Sequence, residues 1–466
     1  MPFRFLAVLS LVIAGLSPSS AIASSENLEA TLVIDNVGII PMSVDGEIQT
    51  GRTVVIDNDR IVAIWPSDEQ RDFTDATRIN GSGKWLVPGF SDMHVHIGNS
   101  RMLRRLTGQD VPVDGTADMQ DFFTPYIANG VLQIFDLASM AETVGQRIEV
   151  ESGRIIGPNI AMAAMVDGAD PILPFGITRV AATPADGRQV VRDAQADGYG
   201  FVKVYGRVDL PTFTAIVDEA RTRGMRVVGH IPQRGKGITA SFFQPGYDLV
   251  VHAEDFAQQT KMPDHEAIPA YIEMARSNDT ALVSTLTTND RIYEIARDPL
   301  SLEKREDLLV LSPDFYVFST QNNPYAAQSN EGFIGYARSL VEFNDPLVRA
   351  FSAAGLTILT GSDAGIPGIA PGYALHDEFE ALAEAGLDNR TILEATTRLP
   401  AEWLGVDHDR GTVEVGKRAD LVLLEANPME NISNTRRIAA VIRNGRYLDR
   451  AELDAMVKKL TEKNRR

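Results

Sequence analysis

The stretch LVPGFSDMHVHI, residues 86–97, decides how the rest of the chain is interpreted. It has the character of an apolar β-strand that ends in the triplet His94-Val95-His96. Because side chains two apart in a strand point to the same face, His94 and His96 can reach one metal ion together. A pair of histidines at the end of an ordinary buried strand would give the same triplet. The remainder of the chain has to decide between these two interpretations.

Short apolar segments alternate with helical ones along the middle of the chain, which is typical of βα units and a parallel sheet. Eight segments have strand character: Gly89–His96, Val131–Leu137, Asn159–Met165, Phe201–Tyr205, Arg226–His230, Leu249–His252, Leu282–Thr285 and Thr357–Gly361. Helices are predicted at Pro184–Ala196, Pro211–Arg223, Glu266–Arg276 and Pro346–Ala354. Eight strands with intervening helices is the count of a (β/α)8 TIM barrel, so residues 88–407 are predicted to form this α/β fold. The long segment Asp298–Asn344 is predicted to add helices over one end of the barrel.

Both ends of the chain are rich in Val and Ile, in the segments Ala30–Met42, Arg52–Pro66, Ala419–Pro428 and Ile438–Leu448. This pattern predicts a small β-sandwich domain built from residues 24–87 together with residues 408–450. Residues 451–466 are predicted to form a charged C-terminal helix.

The N-terminus has the pattern of an export signal. Arg4 is followed by the apolar run Phe5–Leu16 and by Ala21-Ile22-Ala23, an A-x-A cleavage site, so residues 1–23 are predicted to be a signal peptide. The apolar run is shorter than the ~20 residues of a membrane span, although retention as an N-terminal anchor is the alternative. We expect an exported protein, periplasmic or secreted, without stable membrane association after cleavage.

Composition restricts the partners and the chemistry. The formal net charge of −19 argues against a nucleic acid partner, which requires a basic surface. The chain has no cysteine, so any metal ion must be held by His, Asp, Glu or a modified Lys. A small-molecule substrate is expected, and homo-oligomerisation is left open.

Further polar residues fall at the ends of the predicted strands. In a TIM barrel the carboxyl ends of all strands meet at one face, where active sites are built. Six side chains on five of the eight strands would converge there: His94, His96, Lys203, His230, His252 and Asp363. Each alone has a structural explanation, such as capping a helix or a turn. Their common position at the same end of the strands favours a metal site.

At this point the sequence resembles the amidohydrolase superfamily. The order HxH, Lys, His, His, Asp over successive strands carries the resemblance, as do LVPGFSDMHVH and GTVEVGKRADLVLL. The segments VKVYG, VVGHIP, VVHAED and LTGSDAG are most similar to its prolidase-like and imidazolonepropionase-like branch. The resemblance covers about Leu32–Leu448. It implies a TIM barrel with a sandwich built from both chain ends, and hydrolysis of amide or related C–N bonds.

The resemblance also implies roles for the six residues. His94, His96 and Asp363 would hold a first metal ion, while His230 and His252 would hold a second. Lys203 would be carboxylated and bridge the two; the alternative is an unmodified lysine beside a single metal ion. Two zinc ions suit this ligand set, with manganese, cobalt or iron as alternatives.

The expected mechanism is attack by a metal-activated hydroxide on the scissile carbonyl. Asp363 would accept the proton and pass it to the leaving nitrogen. Ser362 and the histidines at positions 265, 376 and 408 are interpreted as structural or exposed, with His376 the most plausible exception. Tyr205 and Arg207 are candidates for binding a free carboxylate of the substrate.

Three functional hypotheses follow. The first is an exported binuclear metal hydrolase of dipeptides or N-acyl amino acids. The second is a mononuclear hydrolase of a cyclic amide, distinguished by its metal count and by the state of Lys203. The third is an inactive periplasmic binding protein on the same barrel, which the presence of a candidate ligand at every expected position disfavours.

Overall fold

The computed structural model describes residues 29–69, 71–73, 75–97, 119–173, 177–233 and 236–465. The predicted signal peptide, residues 1–23, lies outside the described residues.

The first sheet is mixed and uses both ends of the chain: β1 (Leu32–Ile39), β2 (Gln49–Asp57), β3 (Arg60–Pro66), β4 (Thr77–Asn80), β5 (Trp85–Pro88), β15 (Leu421–Leu424), β16 (Ile438–Arg443) and β17 (Arg446–Asp449). The second is parallel: β6 (Phe90–Val95), β7 (Val131–Asp136), β8 (Asn159–Asp167), β10 (Phe201–Val204), β11 (Arg226–Gly229), β12 (Tyr247–Val250), β13 (Ala281–Val283) and β14 (Ile358–Leu359), with the short β9 (Arg179–Val180) beside β8.

Helices occupy most of the connections between barrel strands. Their bounds are α1 (Met119–Ala128), α2 (Ala141–Glu151), α3 (Pro184–Ala196), α4 (Leu210–Thr222), α5 (Glu254–Ala257), α6 (Ile268–Asn278), α7 (Leu286–Arg297), α8 (Pro313–Thr320), α9 (Glu331–Ala353), α10 (Tyr373–Glu384), α11 (Asn389–Thr396), α12 (Arg398–Leu404) and α13 (Arg450–Asn464). No helix of the described segments is both long enough and apolar enough to cross a membrane. The predicted TIM barrel is confirmed, with all eight of its strands.

The barrel closes where its first and last strands meet. The Met93 amide donates to the carbonyl of Thr360 at 2.8 Å, and the Asp363 amide donates to the carbonyl of His94 at 2.8 Å. The His96 amide continues this row with a bond to Ala364. Closure therefore fixes the HxH triplet against the loop that carries Asp363.

The amino-terminal end of the barrel interior is filled by aromatic side chains. Phe135 lies with its ring centroid 4.7 Å from that of Phe201, which stacks on Trp403 at 5.5 Å. The Arg226 guanidinium also packs over the Trp403 ring, 3.7 Å from its centroid. This end is a packed apolar core.

The long connection between β13 and β14 contains α7, α8, α9 and several 3-10 turns. The additional helices predicted within Asp298–Asn344 are therefore present. The predicted helix Pro346–Ala354 was wrong in its start, because Pro346 lies inside the 23-residue helix α9. Proline is favoured in the first turn of a helix, which misled the prediction, but packing of α9 against α7 overrides the lost hydrogen bond.

The mixed sheet is continuous, in the order β17-β16-β15-β5-β1-β2-β3 with β4 beside β1. Both chain ends contribute, as the sequence pattern predicted. A buried ion pair fastens it to the start of β8: Arg443 Nη1 lies 2.8 Å from Asp420 Oδ1, and Arg443 Nη2 donates to Asn159 Oδ1 at 3.2 Å. The second domain thus sits at the amino-terminal end of the barrel strands, away from the HxH triplet.

Candidate metal centre

The structure brings all six predicted ligands together at the carboxyl ends of the strands. Asp363 Oδ1 lies 3.3 Å from His94 Nε2 and 3.1 Å from His96 Nε2. Lys203 Nζ is 3.3 Å from His94 Nε2. The imidazole of His252 bridges the two halves of the group, with ring centroids 4.5 Å from His94 and 4.8 Å from His230.

Two glycines let the Asp363 loop approach the HxH strand. A Cβ at Gly361 would lie 2.8 Å from the Cβ of His94, and one at Gly365 would lie 2.3 Å from the carbonyl oxygen of His96. Gly365 also has φ of 114°, a conformation that side chains disfavour. The sequence LTGSDAG therefore provides the close contact that delivers Asp363 to the histidines.

Hydrogen bonds fix which nitrogen of each imidazole carries the proton. The Nδ1 atoms of three histidines each contact an oxygen at 2.9–3.0 Å. The contacts are His94 to the Val251 carbonyl, His230 to the Asp255 carboxylate and His252 to the Thr285 hydroxyl. Because these oxygens accept, Nδ1 holds the hydrogen and Nε2 keeps its lone pair.

The charge states agree with ligand chemistry. Burial lowers the pKa of His94, His230 and His252 well below the ordinary value, so these imidazoles are neutral at pH 7. Burial lowers the pKa of Lys203 to about 8, although Asp363 and other carboxylates oppose the shift. Burial alone would raise the pKa of Asp363, but the close contact with His96, whose Nε2 lies 3.1 Å from Oδ1, holds it below its ordinary value.

This arrangement fits divalent cations. The Asp363 Oδ1 atom is buried and has no hydrogen-bond partner among the described residues. The ligand atoms of His94, His252 and Asp363 all lie within 4.8 Å of one another. A group of neutral imidazole lone pairs around an ionised carboxylate is the donor set that zinc and related metals prefer.

A sequence profile of the amidohydrolase family matches residues 85–448. The chain belongs to the amidohydrolase family. It is a hydrolase that acts on C–N bonds, and members of its family generally use divalent metal ions.

Solved structures of related proteins share the fold. A putative prolidase from Bifidobacterium longum has a TM-score of 0.68 and 24% identity, covering 92% of this chain and 99% of that one. Bottromycin amidohydrolase gives 0.72 at 21% identity, over 94% and 91% of the two chains. A Xaa-Pro dipeptidase with methionine bound in its active site gives 0.68 at 19%, over 90% and 99%. A search of curated proteins gave no match.

Asp92 is a buried carboxylate of this amidohydrolase that the sequence interpretation missed. It accepts hydrogen bonds from the hydroxyl of Ser362 at 2.5 Å and from the Ser362 amide at 2.9 Å. Burial raises the pKa of Asp92 to about 7. It ties the HxH strand to the Asp363 loop, and the hydroxyl of Ser362 takes part in this contact. Its position two residues before His94, on the same face of the strand, is the signal that could have identified it.

The two predicted carboxylate binders lie in different surroundings. The ring of Tyr205 packs edge-on against His230, with centroids 4.6 Å apart, so this side chain lies beside the candidate metal centre. Arg207 is exposed. Its backbone amide donates to Asp167 Oδ1 at 2.6 Å, and this buried carboxylate at the end of β8 therefore shapes the loop that carries both residues.

Residues from the β13–β14 connection also face the centre. Burial raises the pKa of Tyr325 above its ordinary value, with further contributions from the charges of Asp363 and Glu254. Tyr325 follows α8, in the segment that the sequence placed over one end of the barrel. No motif marks this tyrosine, because its position depends on how the connection folds back.

The remaining histidines behave as predicted. His376 is buried, and its Nε2 donates to the carbonyl of Asn129 at 3.0 Å while its Nδ1 contacts the Thr435 hydroxyl at 2.9 Å. Both of its ring nitrogens are occupied, so it is structural. His265 and His408 are exposed and lie outside the centre.

Proposed function

We propose that this amidohydrolase uses two divalent metal ions to cleave an amide bond in dipeptides or N-acyl amino acids. The observation that carries the proposal is the convergence of buried imidazole Nε2 atoms on Asp363 Oδ1, which has no hydrogen-bond partner among the described residues. The peptide bond is suggested as the target because a Xaa-Pro dipeptidase shares the fold.

The proposed ligands divide into two groups. His94, His96 and Asp363 would hold one ion, and His230 and His252 would hold the other. Zinc suits these donors best, and manganese, cobalt or iron are the alternatives. Bound divalent ions would acidify a water molecule and polarise the scissile carbonyl.

Lys203 would bridge the two ions as a carbamate. Its amine would form an N–C bond with carbon dioxide and release a proton, which yields an anionic group with two oxygens. The side chain is 1% exposed, and its Nζ lies against the His94 imidazole, so an unmodified ammonium would add positive charge among cation ligands. A carbamate removes that repulsion and supplies ligand oxygens.

The protein side chains account for proton transfer and substrate orientation. Asp363 would accept a proton from the attacking water and deliver it to the leaving nitrogen. The hydroxyl of Tyr205, beside His230, would bind a free carboxylate of the substrate, with Arg207 closing on it from the surface.

Metal analysis combined with a substrate panel tests this proposal. We expect two metal ions per chain and hydrolysis of dipeptides or N-acyl amino acids. Lys203→Ala should bind fewer ions and lose roughly 100-fold in kcat/KM or more, because the remaining ligands are no longer held in their correct relative positions. Added short-chain carboxylic acids should restore part of the rate, and Lys236→Ala, at an exposed lysine, is the matched control.

A mononuclear hydrolase of a cyclic amide is the second candidate. The compact group of His94, His252 and Asp363 favours it, since these three residues suffice for one ion. One metal ion per chain, a Lys203 mass without added carbon dioxide and turnover of cyclic amides alone would establish this candidate and refute the binuclear one.

We also propose that the protein is exported. Arg4, the apolar run Phe5–Leu16 and the Ala21-Ile22-Ala23 cleavage site support this proposal. N-terminal sequencing of protein from the native host should begin near Ser24. An intact Met1 on cytoplasmic protein would refute export.

A further inference from the structure

One histidine of the centre is oriented by a residue under backbone strain. His252 Nδ1 contacts Thr285 Oγ1 at 2.9 Å, and the Thr285 hydroxyl itself donates to the carbonyl of Ser284 at 2.9 Å. The oxygen must therefore accept from Nδ1–H, which leaves His252 Nε2 free to bind a metal ion. Orientation of this ligand depends on where Thr285 is held.

Thr285 adopts a left-handed conformation, with φ of 46° and ψ of 40°. A β-branched residue rarely adopts this conformation, which persists only where the surroundings enforce it. The conformation ends β13 abruptly and starts α7 at the next residue. Some neighbouring group must hold the turn in place.

Glu378 holds this turn from the opposite side. It lies on α10, is fully buried and accepts three hydrogen bonds. Ser284 Oγ donates to its Oε1 at 2.5 Å and the Leu286 amide donates at 3.1 Å, while the Thr287 amide donates to Oε2 at 2.8 Å. Two of these donors belong to the residues on either side of Thr285.

A carboxylate is well suited to this position. Burial raises the pKa of Glu378, and the hydrogen bonds from Ser284 and Thr287 oppose the shift by favouring the ionised form. The free amides at the start of α7 also attract negative charge. A glutamine could accept at only one of its two terminal atoms, so it would leave a donor unsatisfied.

We infer that Glu378 is a positioning residue for the metal centre, which acts through Thr285 to aim His252 at the ion. The inference rests on the proposed metal site and adds a residue that none of the centre's ligands contacts. Partners of this kind typically change metal affinity by 10–100-fold when they are removed.

Zinc affinity, measured by competition with a chromophoric chelator, tests the inference without using catalysis. Glu378→Gln should lower the affinity for one zinc ion by about 10–100-fold and alter the visible spectrum of the Co2+-substituted protein. Glu380→Gln is the matched control on the same helix, because Glu380 pairs with Arg436 at 2.8 Å away from the turn. This control should bind zinc like the wild type.

Variants of Thr285 keep the inference testable if Glu378→Gln does not fold. Thr285→Ser retains the hydroxyl and should keep the affinity, whereas Thr285→Val should lose it. The double variant Glu378→Gln/Thr285→Val should lose no more than Thr285→Val alone, since the two residues act in series. If the two residues acted independently, the losses of zinc affinity in the two single variants would multiply in the double variant.

The outcomes separate this inference from the proposed function. Wild-type protein that takes up no zinc would refute the metal centre and the inference with it. Wild-type protein that binds zinc no more tightly than Glu378→Gln or Thr285→Val would refute the positioning role alone. A Glu378→Gln protein with a lowered Tm but unchanged zinc affinity would likewise show that the residue only stabilises the fold.

Discussion

The two ends of the barrel are built from the same eight strands, but different kinds of side chain fill the barrel interior at each end. At the carboxyl ends, Asp363 Oδ1 and His96 Nδ1 are buried without a hydrogen-bond partner among the described residues. At the amino ends, the interior is closed by Phe135, Phe201 and Trp403.

Several polar groups buried near the amino ends are paired, although Arg398 Nε and Arg410 Nε have no hydrogen-bond partner among the described residues. Arg443 pairs with Asp420, and His376 has an oxygen partner at both ring nitrogens. Unsatisfied buried groups reduce stability, whereas packed aromatic groups increase it. This difference indicates that the carboxyl ends supply candidate ligands, whereas the amino ends mainly stabilise the fold. Substitutions should separate these two contributions.

The largest expected effect is at the carboxyl end. Asp363→Ala should lower kcat/KM by roughly 10³- to 10⁴-fold, because it removes both a ligand and the proton carrier. The metal-free variant should still fold and show a cooperative unfolding transition in denaturant, because the aromatic residues that fill the amino ends are unchanged. Near-normal turnover would contradict the proposed role of Asp363.

A substitution at the amino ends should lower stability and leave activity nearly unchanged. Phe135→Ala should lower the free energy of unfolding by about 3–5 kcal/mol, because a fully buried ring leaves a cavity. At a temperature where the variant is still folded, its kcat/KM should remain near that of the wild type. If activity fell as steeply as for Asp363→Ala, the two ends would not be separable in the way the structure suggests.

The sequence could predict the carboxyl end well for a physical reason. Metal ligation restricts residue type, and ligands at strand ends have fixed spacing, so the HxH triplet and the later Lys, His and Asp could be recognised individually. The eight strands followed from the alternation of apolar segments. Family resemblance then placed each ligand in a role.

The supporting residues could not be found in the same way. Glu378 is 126 residues beyond His252 in the chain, and its contact with the turn at Thr285 depends on how α10 packs against α7. Tyr325 reaches the centre through an irregular connection. The helix start predicted at Pro346 was wrong for the same reason, because tertiary packing outweighs the local preference of proline for the first turn of a helix. Such positions are determined by tertiary contacts rather than by local pattern.

A smaller effect is expected for His376, the buried histidine near the amino ends, whose two ring nitrogens both have oxygen partners. Burial lowers the pKa of His376 to about 4, so it stays neutral in the folded protein while the unfolded chain takes up a proton below pH ~6.5. The unfolded state then binds more protons, so His376 lowers the free energy of unfolding by roughly 3 kcal/mol as the pH drops from about 6.5 to 4, in addition to the contributions of His94, His230 and His252. Denaturant unfolding of the metal-free protein across this range should show that slope.

His376→Gln should flatten this part of the stability profile, and His408→Gln, at an exposed histidine, should leave it unchanged. Equal slopes in all three proteins would mean that other groups cause the acid sensitivity. His376 would then no longer illustrate a buried histidine that has only a structural role.

The smallest expected effect concerns the edge of the carboxyl end, where the metal centre meets the substrate. Tyr205→Phe removes one hydroxyl but keeps the ring that packs on His230, so the ligands should stay in place. A hydrogen bond to a charged group contributes about 1.5 kcal/mol or somewhat more, so kcat/KM for substrates with a free carboxylate should fall about tenfold. Amidated analogues of the same substrates provide the internal control, since they lack the charge and should lose much less. Equal losses on both would assign the hydroxyl to the reacting carbonyl that the two substrates share, and the carboxylate would have to be bound elsewhere.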